Sequence, residues 1–187
     1  MAKLHNAKVR ELQSAMQALG ERLDSGDESS LFIEVIPGQL MCSYRPLRRH
    51  SNPEFRGPQR DLPAEAAPVL LNWVQKMRAS GIRGIICLMG PREFGHYATV
   101  VAELGAADLI GLYESHGFDV RSVPWEDPAY RVGQGGRSYE DQLHEAREKS
   151  LQAFDQLPKP VLLHCSSGIQ RSSPVAAFIY SHRGRME

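Results

Sequence analysis

The stretch from Pro160 to Tyr180, PVLLHCSSGIQRSSPVAAFIY, decides how the whole chain is interpreted. An apolar run, Val161 to Leu163, leads into a histidine and a cysteine, and a short loop of small and polar residues follows. A second apolar segment begins after Arg171. This order predicts a buried strand over 161–164, a loop over 165–170 and a helix that begins near Arg171.

Strands and helices are predicted to alternate along the rest of the chain. Apolar residues at helical spacing predict an N-terminal amphipathic helix over 1–24, and further helices are predicted over 64–80, 96–116 and 138–157. Strands are predicted on both sides of the turn pair Pro37-Gly38 and within 81–89 and 118–125. This alternation predicts an α/β domain in which a twisted, mostly parallel sheet of about five strands is flanked by helices.

Composition and charge exclude several classes of partner. The 187 residues carry 22 basic and 22 acidic side chains, so no overall charge favours nucleic acid or an anionic membrane. No apolar run approaches the roughly 18 residues that span a bilayer, and the first residues lack the apolar core of a secretory signal. Three cysteines, odd in number and far apart, fit a reducing compartment, so a cytoplasmic protein is expected. The seven histidines show no ligand spacing, and neither a metal nor another cofactor is expected.

The stretch around Cys165 has features that suit a bound oxyanion. In parallel α/β sheets, ligands bind beyond the carboxyl ends of the strands, where helix N-termini point. Backbone N–H groups of such a loop can surround an anion, and the helix dipole adds positive charge that also favours a thiolate at Cys165. Arg171 is a planar donor that can bind two oxygens at once. The sequence therefore predicts a phosphate-binding loop between the last strand and a helix, formed by Ser166, Ser167, Gly168, Ile169, Gln170 and Arg171.

The same cysteine-to-arginine spacing occurs a second time, from Cys42 to Arg48. With 17 arginines in the chain, such a coincidence is unsurprising. The Cys42 copy contains Pro46 but no glycine, and no helix-forming segment follows it directly. Only the Cys165 copy is therefore predicted to form a site.

The segment HCSSGIQRSS, over 164–173, resembles the signature loop of the cysteine-dependent protein tyrosine phosphatase superfamily, especially its small dual-specificity branch. That family's motif is His-Cys, five residues with glycine third after the cysteine, then Arg and Ser or Thr. The matching residues here are His164, Cys165, Gly168, Arg171 and Ser172. The resemblance implies a hydrolase in which the Cys165 thiolate attacks phosphorus and water hydrolyses the phosphocysteine intermediate. It also implies that Arg171 holds the equatorial oxygens, that Ser172 donates a hydrogen bond to the sulfur, and that His164 orients the loop.

The mechanism of that family needs an acid to protonate the leaving oxygen. The segment VPWEDPAY, over 123–130, resembles the loop from which several relatives supply an aspartate. The match makes Asp127, 38 positions before Cys165, the predicted acid. Its neighbour Glu126 remains the alternative, since two adjacent carboxylates cannot both reach one oxygen.

The resemblance covers about residues 31–183, so a catalytic domain is predicted over 31–187, with the N-terminal helix outside the resemblance. The signature loop lacks the lysines of phosphoinositide-selective relatives, which favours a phosphoprotein over a lipid phosphate. A phosphate or sulfate ion is expected to bind in this loop. Relatives sometimes carry a resolving thiol at the position of Cys87, and a protective disulfide with Cys165 is a hypothesis that the resemblance suggests.

Two loops are unusual in composition. The segment from Arg45 to Arg60 carries five arginines, which is typical of a solvated loop, although the family's first hairpin ends near the pocket and an anionic substrate contact is the alternative. The glycine-rich segment 129–137 is predicted to be mobile.

Four functions stay open at this point. The leading one is a phosphatase that acts on phosphotyrosine, with phosphoserine and phosphothreonine as further substrates. An RNA 5′-phosphatase would keep the chemistry and use the arginine-rich loop, and its RNA binding would depend on salt. A rhodanese-type sulfurtransferase shares the strand, cysteine loop and helix, and transfer of sulfur from thiosulfate would reveal it. A phosphate-binding module without turnover is the fourth.

Overall fold

The computed structural model of the chain describes residues 2–57, 60–127 and 138–184, and the loop 129–137 that was predicted to be mobile lies outside them. Within these residues a short 3₁₀ helix spans Ala64–Ala66. The other elements are α1 (Ala2–Asp24), β1 (Phe32–Ile36), β2 (Leu40–Tyr44), α2 (Ala67–Ala79), β3 (Gly84–Cys87), α3 (Pro91–Gly95), α4 (Ala98–Glu103), α5 (Leu109–Ser115), β4 (Asp119–Ser122), α6 (Tyr139–Gln156), β5 (Val161–Cys165) and α7 (Ser172–Arg183).

The strands form one five-stranded sheet in the order β1-β2-β5-β3-β4. The α/β class and the five-stranded sheet flanked by helices are confirmed. The prediction of a mostly parallel sheet is corrected, because the sheet is mixed. β1 and β2 are joined by a tight turn at Pro37-Gly38 and therefore run antiparallel, whereas β5 pairs in parallel with β2 and β3, and β3 in parallel with β4. β3 and β5 are buried along their whole length, as expected for strands covered on both faces.

The predicted helices form where their end signals lie. Ser138 caps α6, since its hydroxyl oxygen accepts the N–H of Asp141 at 3.1 Å. α2 ends just before Gly81, whose φ of 84° is left-handed and breaks the helix without strain. The short helix α3 was not predicted. It begins at Pro91 and is closed by Glu93, whose carboxylate accepts the N–H of Gly90 at 3.0 Å.

The helices lie on both faces of the sheet and support the edge at which the parallel strands end. α7 packs between α1 and α6 and contacts β1, β2 and β5. Leu12, Met16 and Leu19 of α1 are buried, so the N-terminal helix shares the core with the strands. On the other face, Tyr113 of α5 contacts His164 of β5. None of the described helices combines the length and the apolar character that crossing a bilayer requires.

Candidate active site

The predicted site lies at the carboxyl end of the central strand. β5 ends at Cys165, residues 166–171 form a tight loop, and α7 begins at Ser172. Cys165 and Arg171 are both buried, with 0% and 1% of their surfaces exposed. Of the loop residues between them, Ser166 and Gly168 are buried, Ser167 and Ile169 are half-buried, and Gln170 is exposed. The structure thus brings the predicted nucleophile and the predicted oxyanion-binding arginine to opposite ends of one short loop.

Gly168 gives the loop its shape. Its φ of 67° is left-handed, a conformation in which a side chain is strained. The turn directs the Gly168 N–H at the sulfur of Cys165, at 3.2 Å. A Cβ at residue 168 would overlap the Met16 methyl group and would lie 3.1 Å from the carbonyl oxygen of Ser43. Glycine is therefore required both by conformation and by the closeness of α1.

The rest of the loop is held from outside through its carbonyl groups. The N–H of Arg45 donates to the Ser166 carbonyl at 3.3 Å, the Ser173 hydroxyl to the Gly168 carbonyl at 2.7 Å, and the Tyr139 hydroxyl to the Gln170 carbonyl at 2.9 Å. Within the described part of the chain, the N–H groups of residues 167, 169 and 170 have no acceptor. A loop whose carbonyls are bonded and whose N–H groups are left over suits an anion.

Arg171 is held by five oxygen contacts. Its Nη1 lies 2.6 Å from Glu93 Oε2, 2.6 Å from the Trp125 carbonyl and 3.1 Å from the Leu88 carbonyl. Its Nη2 lies 2.7 Å from Glu93 Oε1 and 3.0 Å from Asp127 Oδ2. Burial alone would lower the pKa of Arg171, but the hydrogen bond with Glu93 and the charges of Cys165, Glu93 and Asp127 raise it. The guanidinium is a fixed positive charge in this site.

Glu93 is a site residue that the sequence reasoning missed. Its carboxylate binds Arg171 in the two-pronged geometry that orients a guanidinium plane, and both side chains are 1% exposed. The only local signal was its place in the α3 cap, three residues after Gly90. The contact with Arg171 spans 78 positions and is not visible in the sequence. Glu93 fixes the arginine, and among the described residues its carboxylate makes no hydrogen bond to the Cys165 sulfur.

The two adjacent carboxylates, Glu126 and Asp127, occupy different places. Asp127 reaches Arg171, and its side chain is 20% exposed. Glu126 packs against Gly90, where a Cβ would lie only 2.6 Å from its carboxyl carbon. Its Oε2 is buried without a hydrogen bond among the described residues. The geometry therefore places Asp127, and not Glu126, beside the arginine of the loop.

His164 is fully buried beneath the loop. Its Nε2 lies 3.3 Å from the Tyr113 hydroxyl, and the two rings meet edge to face. Burial lowers the pKa of His164 to about 4, and the charges of Arg171 and Arg45 act in the same direction. His164 is therefore neutral near pH 7; its ring packs on Tyr113, and its buried Nδ1 makes no hydrogen bond among the described residues.

Ser172 and the two other cysteines lie behind the loop. The Ser172 hydroxyl is buried without a hydrogen bond among the described residues, so the bond to Cys165 that the resemblance implies is not formed in this structure. Its neighbour is the thiol of Cys42, whose pKa is raised, chiefly by burial and further by the charge of Cys165. Burial likewise raises the pKa of Cys87 to about 12. All three cysteines are free thiols, and a disulfide partner for Cys165 remains a hypothesis.

Tyr139 is a second residue of the candidate site that was not predicted from the sequence, which indicated only that it lies in a helix. Its ring lies 5.4 Å from that of Trp125, and its hydroxyl binds the loop at Gln170. It is 40% exposed, the one large hydrophobic residue of the described chain that is so open. Burial raises the pKa of Tyr139, and the charges of Glu140 and Cys165 act in the same direction.

Comparison of the chain with protein-family models and with curated proteins found no match. Among the described residues, no group of three His, Cys, Asp or Glu side chains could hold a metal ion. The function must therefore be inferred from the residues of this site and their geometry.

Proposed function

We propose that this protein is a cysteine-dependent phosphatase of the protein tyrosine phosphatase superfamily, similar to its dual-specificity branch. Its substrates would be phosphotyrosine, and also phosphoserine or phosphothreonine, in cytoplasmic proteins. The observation that supports this best is the meeting of three groups around one loop. Cys165 accepts the Gly168 N–H at 3.2 Å, Arg171 closes the loop, and Asp127 lies 3.0 Å from that arginine. A nucleophile, an oxyanion-binding group and an acid are what phosphate ester hydrolysis needs.

The proposed reaction has two steps. In the first, the Cys165 thiolate forms a bond to phosphorus while the bond to the ester oxygen breaks, and Asp127 gives that oxygen its proton. In the second, water attacks the phosphorus of the phosphocysteine, the Asp127 carboxylate takes a proton from the water, and Cys165 leaves as a thiolate. Throughout, Arg171 and the N–H groups of the loop would hold the nonbridging oxygens, where negative charge is greatest.

The contacts of Arg171 suggest how a phosphate would enter. Both terminal nitrogens are already occupied by oxygens, and Asp127 is the most exposed of the side chains that hold them. An incoming phosphate oxygen would replace Asp127 on Nη2, while Glu93 keeps the guanidinium in plane. The released carboxylate would then be free to turn toward the leaving oxygen. Binding of the substrate would in this way also place the acid beside the leaving oxygen.

Turnover of para-nitrophenyl phosphate and of a phosphotyrosine peptide by the full chain tests the proposal. We expect both to be hydrolysed, and we expect acid-quenched protein to carry phosphate on Cys165 by mass spectrometry. Sulfate or phosphate should occupy the 166–171 loop in crystals grown in these salts. Absence of turnover, together with sulfur transfer from thiosulfate, would instead identify a sulfurtransferase.

A further inference from the structure

The segment after β2 forms a cluster of arginines that the proposed chemistry does not use. We call Arg45, Arg48, Arg49 and Arg56 the arginine cluster. An open cleft of about 300 Å³, which we call the arginine cleft, is lined by Arg48, Arg49, Arg56, Asp24 and Gly57. This segment was expected to be a solvated loop, but Arg45 is buried and Arg48 and Arg49 are only half-exposed to solvent.

The positive charge of the cleft is only partly balanced. Asp24 pairs with Arg49 at 2.7 Å and lies 3.7 Å from Arg56. The Arg48 side chain makes no hydrogen bond or ion pair among the described residues, and its Nε is buried without a partner. Burial, followed by the charges of Arg45 and Arg49, lowers the pKa of Arg48. A buried donor beside like charges is costly, and an anion bound in the cleft would remove that cost.

The cleft is linked to the candidate active site through Arg45. The Gly57 carbonyl, on the wall of the cleft, accepts Arg45 Nη2 at 2.8 Å, and Arg45 Nε lies 3.4 Å from the Ser166 hydroxyl of the loop. The guanidinium of Arg45 thus bridges the wall of the cleft and the loop, so an anion in the cleft and a phosphate in the loop would occupy neighbouring sites.

The shape and surroundings of the cleft favour a compact anion. Nucleic acids are bound along extended basic surfaces, and single strands also stack on exposed aromatic rings. Here the charge is confined to one cleft, and the exposed ring of Tyr139 contacts the other end of the loop, at Gln170. A phosphomonoester dianion matches three converging guanidinium groups better than a chain of diesters does.

We propose that the arginine cleft binds a second phosphate of the substrate, so that the preferred substrate carries two phosphomonoesters, one at Cys165 and one at Arg48. This rests on the proposed phosphatase function and names its substrate class. The two phosphates belong either to a peptide with two phosphorylated residues or to a small phosphorylated polyol, since both offer the same chemistry to the cleft.

Binding to the full chain carrying Cys165→Ser, which cannot turn over, tests the cleft separately from catalysis. The ligands are matched peptides with one or two phosphorylated residues at varied spacing, and a polyol monophosphate with its bisphosphate. We expect the second phosphate to tighten binding about 10- to 100-fold, the range for charge-assisted hydrogen bonds. Adding Arg48→Gln or Arg56→Gln should remove this preference. Arg60→Gln, on the same segment but outside the cleft, should keep it.

The outcomes separate the two proposals. A preference seen only with the polyol supports the cleft and assigns the small molecule as the source, and one seen only with the peptide assigns a phosphoprotein. Equal binding of single and double phosphates, or a preference that survives both Arg48→Gln and Arg56→Gln, would overturn the cleft. So would tighter, Arg48-dependent binding of RNA with a 5′-triphosphate. A preserved preference in a wild-type protein without turnover would leave the cleft standing and refute the phosphatase.

Discussion

Two segments of the molecule share the spacing of a cysteine and an arginine, and they lie side by side in the sheet. β2 carries Cys42 and leads to Arg48, and β5 carries Cys165 and leads to Arg171. The strands pair in parallel so that Tyr44 lies opposite Cys165. Cys42 is consequently in the middle of its strand, while Cys165 is the last residue of its own. The position of the thiol relative to the end of the strand, and not the spacing, separates a buried core residue from a candidate nucleophile.

The two arginines differ in what surrounds them. Arg171 directly precedes α7 and is held by Glu93 and Asp127, whereas Arg48 follows Leu47 in a loop and its side chain makes no hydrogen bond or ion pair among the described residues. The same residue type is thus a fixed group in one segment and an available charge in the other. Under the proposals above, the first segment would carry out catalysis and the other would recognise a second anion, and the following predictions test that division.

The largest difference is expected between the two cysteines. Cys165→Ser should lower kcat/KM for para-nitrophenyl phosphate by about 10⁴-fold or more, because a hydroxyl does not ionise near neutral pH. Cys42→Ala, which removes the buried thiol of the other segment, should keep most of the turnover. Steady-state kinetics of both purified variants measure this. Activity of Cys165→Ser within about tenfold of wild type would rule out a phosphocysteine intermediate.

The next difference concerns the arginines. Arg171→Lys should reduce kcat by about 10²- to 10³-fold, because an ammonium group cannot bind Glu93 and two phosphate oxygens in one plane. Arg48→Lys should cost far less with the same small substrate, since para-nitrophenyl phosphate has no second phosphate for the cleft. Equal losses in the two variants would mean that the segments share one function.

The contribution of the proposed acid, Asp127, should depend on the leaving group. Asp127→Asn should lower kcat for tyrosine phosphate by about 10²-fold, and for an activated aryl phosphate by clearly less, because that leaving group needs little protonation. The matched control is Glu126→Gln, whose carboxylate packs against Gly90. If Glu126→Gln shows the dependence on the leaving group and Asp127→Asn does not, the assignment of the acid must be reversed.

The two segments should also differ in how they affect the pH dependence of stability, because a histidine precedes Cys165 and a methionine precedes Cys42. His164 has a pKa of about 4 in the folded chain and about 6.5 in the unfolded chain, so the unfolded chain binds more protons between these values. Its contribution to stability is complete above about pH 6.5 and should be lost as the pH falls toward 4, by about 3 kcal/mol. Urea unfolding across this range measures the slope. His164→Gln should flatten it, whereas Met41, which precedes Cys42, does not titrate.

The smallest effect is expected from a pair that joins the loop to α1. Gly168→Ala should destabilise the fold by roughly 1–2 kcal/mol through its left-handed φ, and further through overlap with the Met16 methyl. Combining it with Met16→Ala should recover the part due to overlap. Unfolding free energies of the single and double variants give the coupling, and strictly additive losses would show that α1 does not press on the loop.

Much of this fold could be predicted because its signals are local. The apolar spacing of α1, the Ser138 cap and the strand before Cys165 each lie within a few residues and are confirmed. The wrong prediction of a mostly parallel sheet also has a physical cause. A hairpin and a parallel crossover both appear as alternating strands, and the short turn at Pro37-Gly38 already required one antiparallel pair.

The parts of the site that were missed depend on long-range contacts. Glu93 of α3 contacts Arg171, Met16 of α1 contacts Gly168, and Gly57 accepts a hydrogen bond from Arg45, which in turn contacts Ser166. Nothing in the spacing of residues encodes these pairings. The sequence could predict that Cys165 and Arg171 share one loop after a strand, but not which residues from elsewhere in the chain hold that loop in place.

The place of β5 in the sheet also bears on how the molecule forms. It is the last strand of the described chain and lies at the centre, between β2 and β3. The β1–β2 hairpin and the β3–β4 pair can exist before it, but each then presents an open edge, and open edges invite aggregation. Closing the sheet pairs residue 40 with residue 161, a contact of high order that is slow to form. The loop around Cys165 takes shape only in that same event, so a nascent chain would pass through a period of exposed edges before it had any site at all.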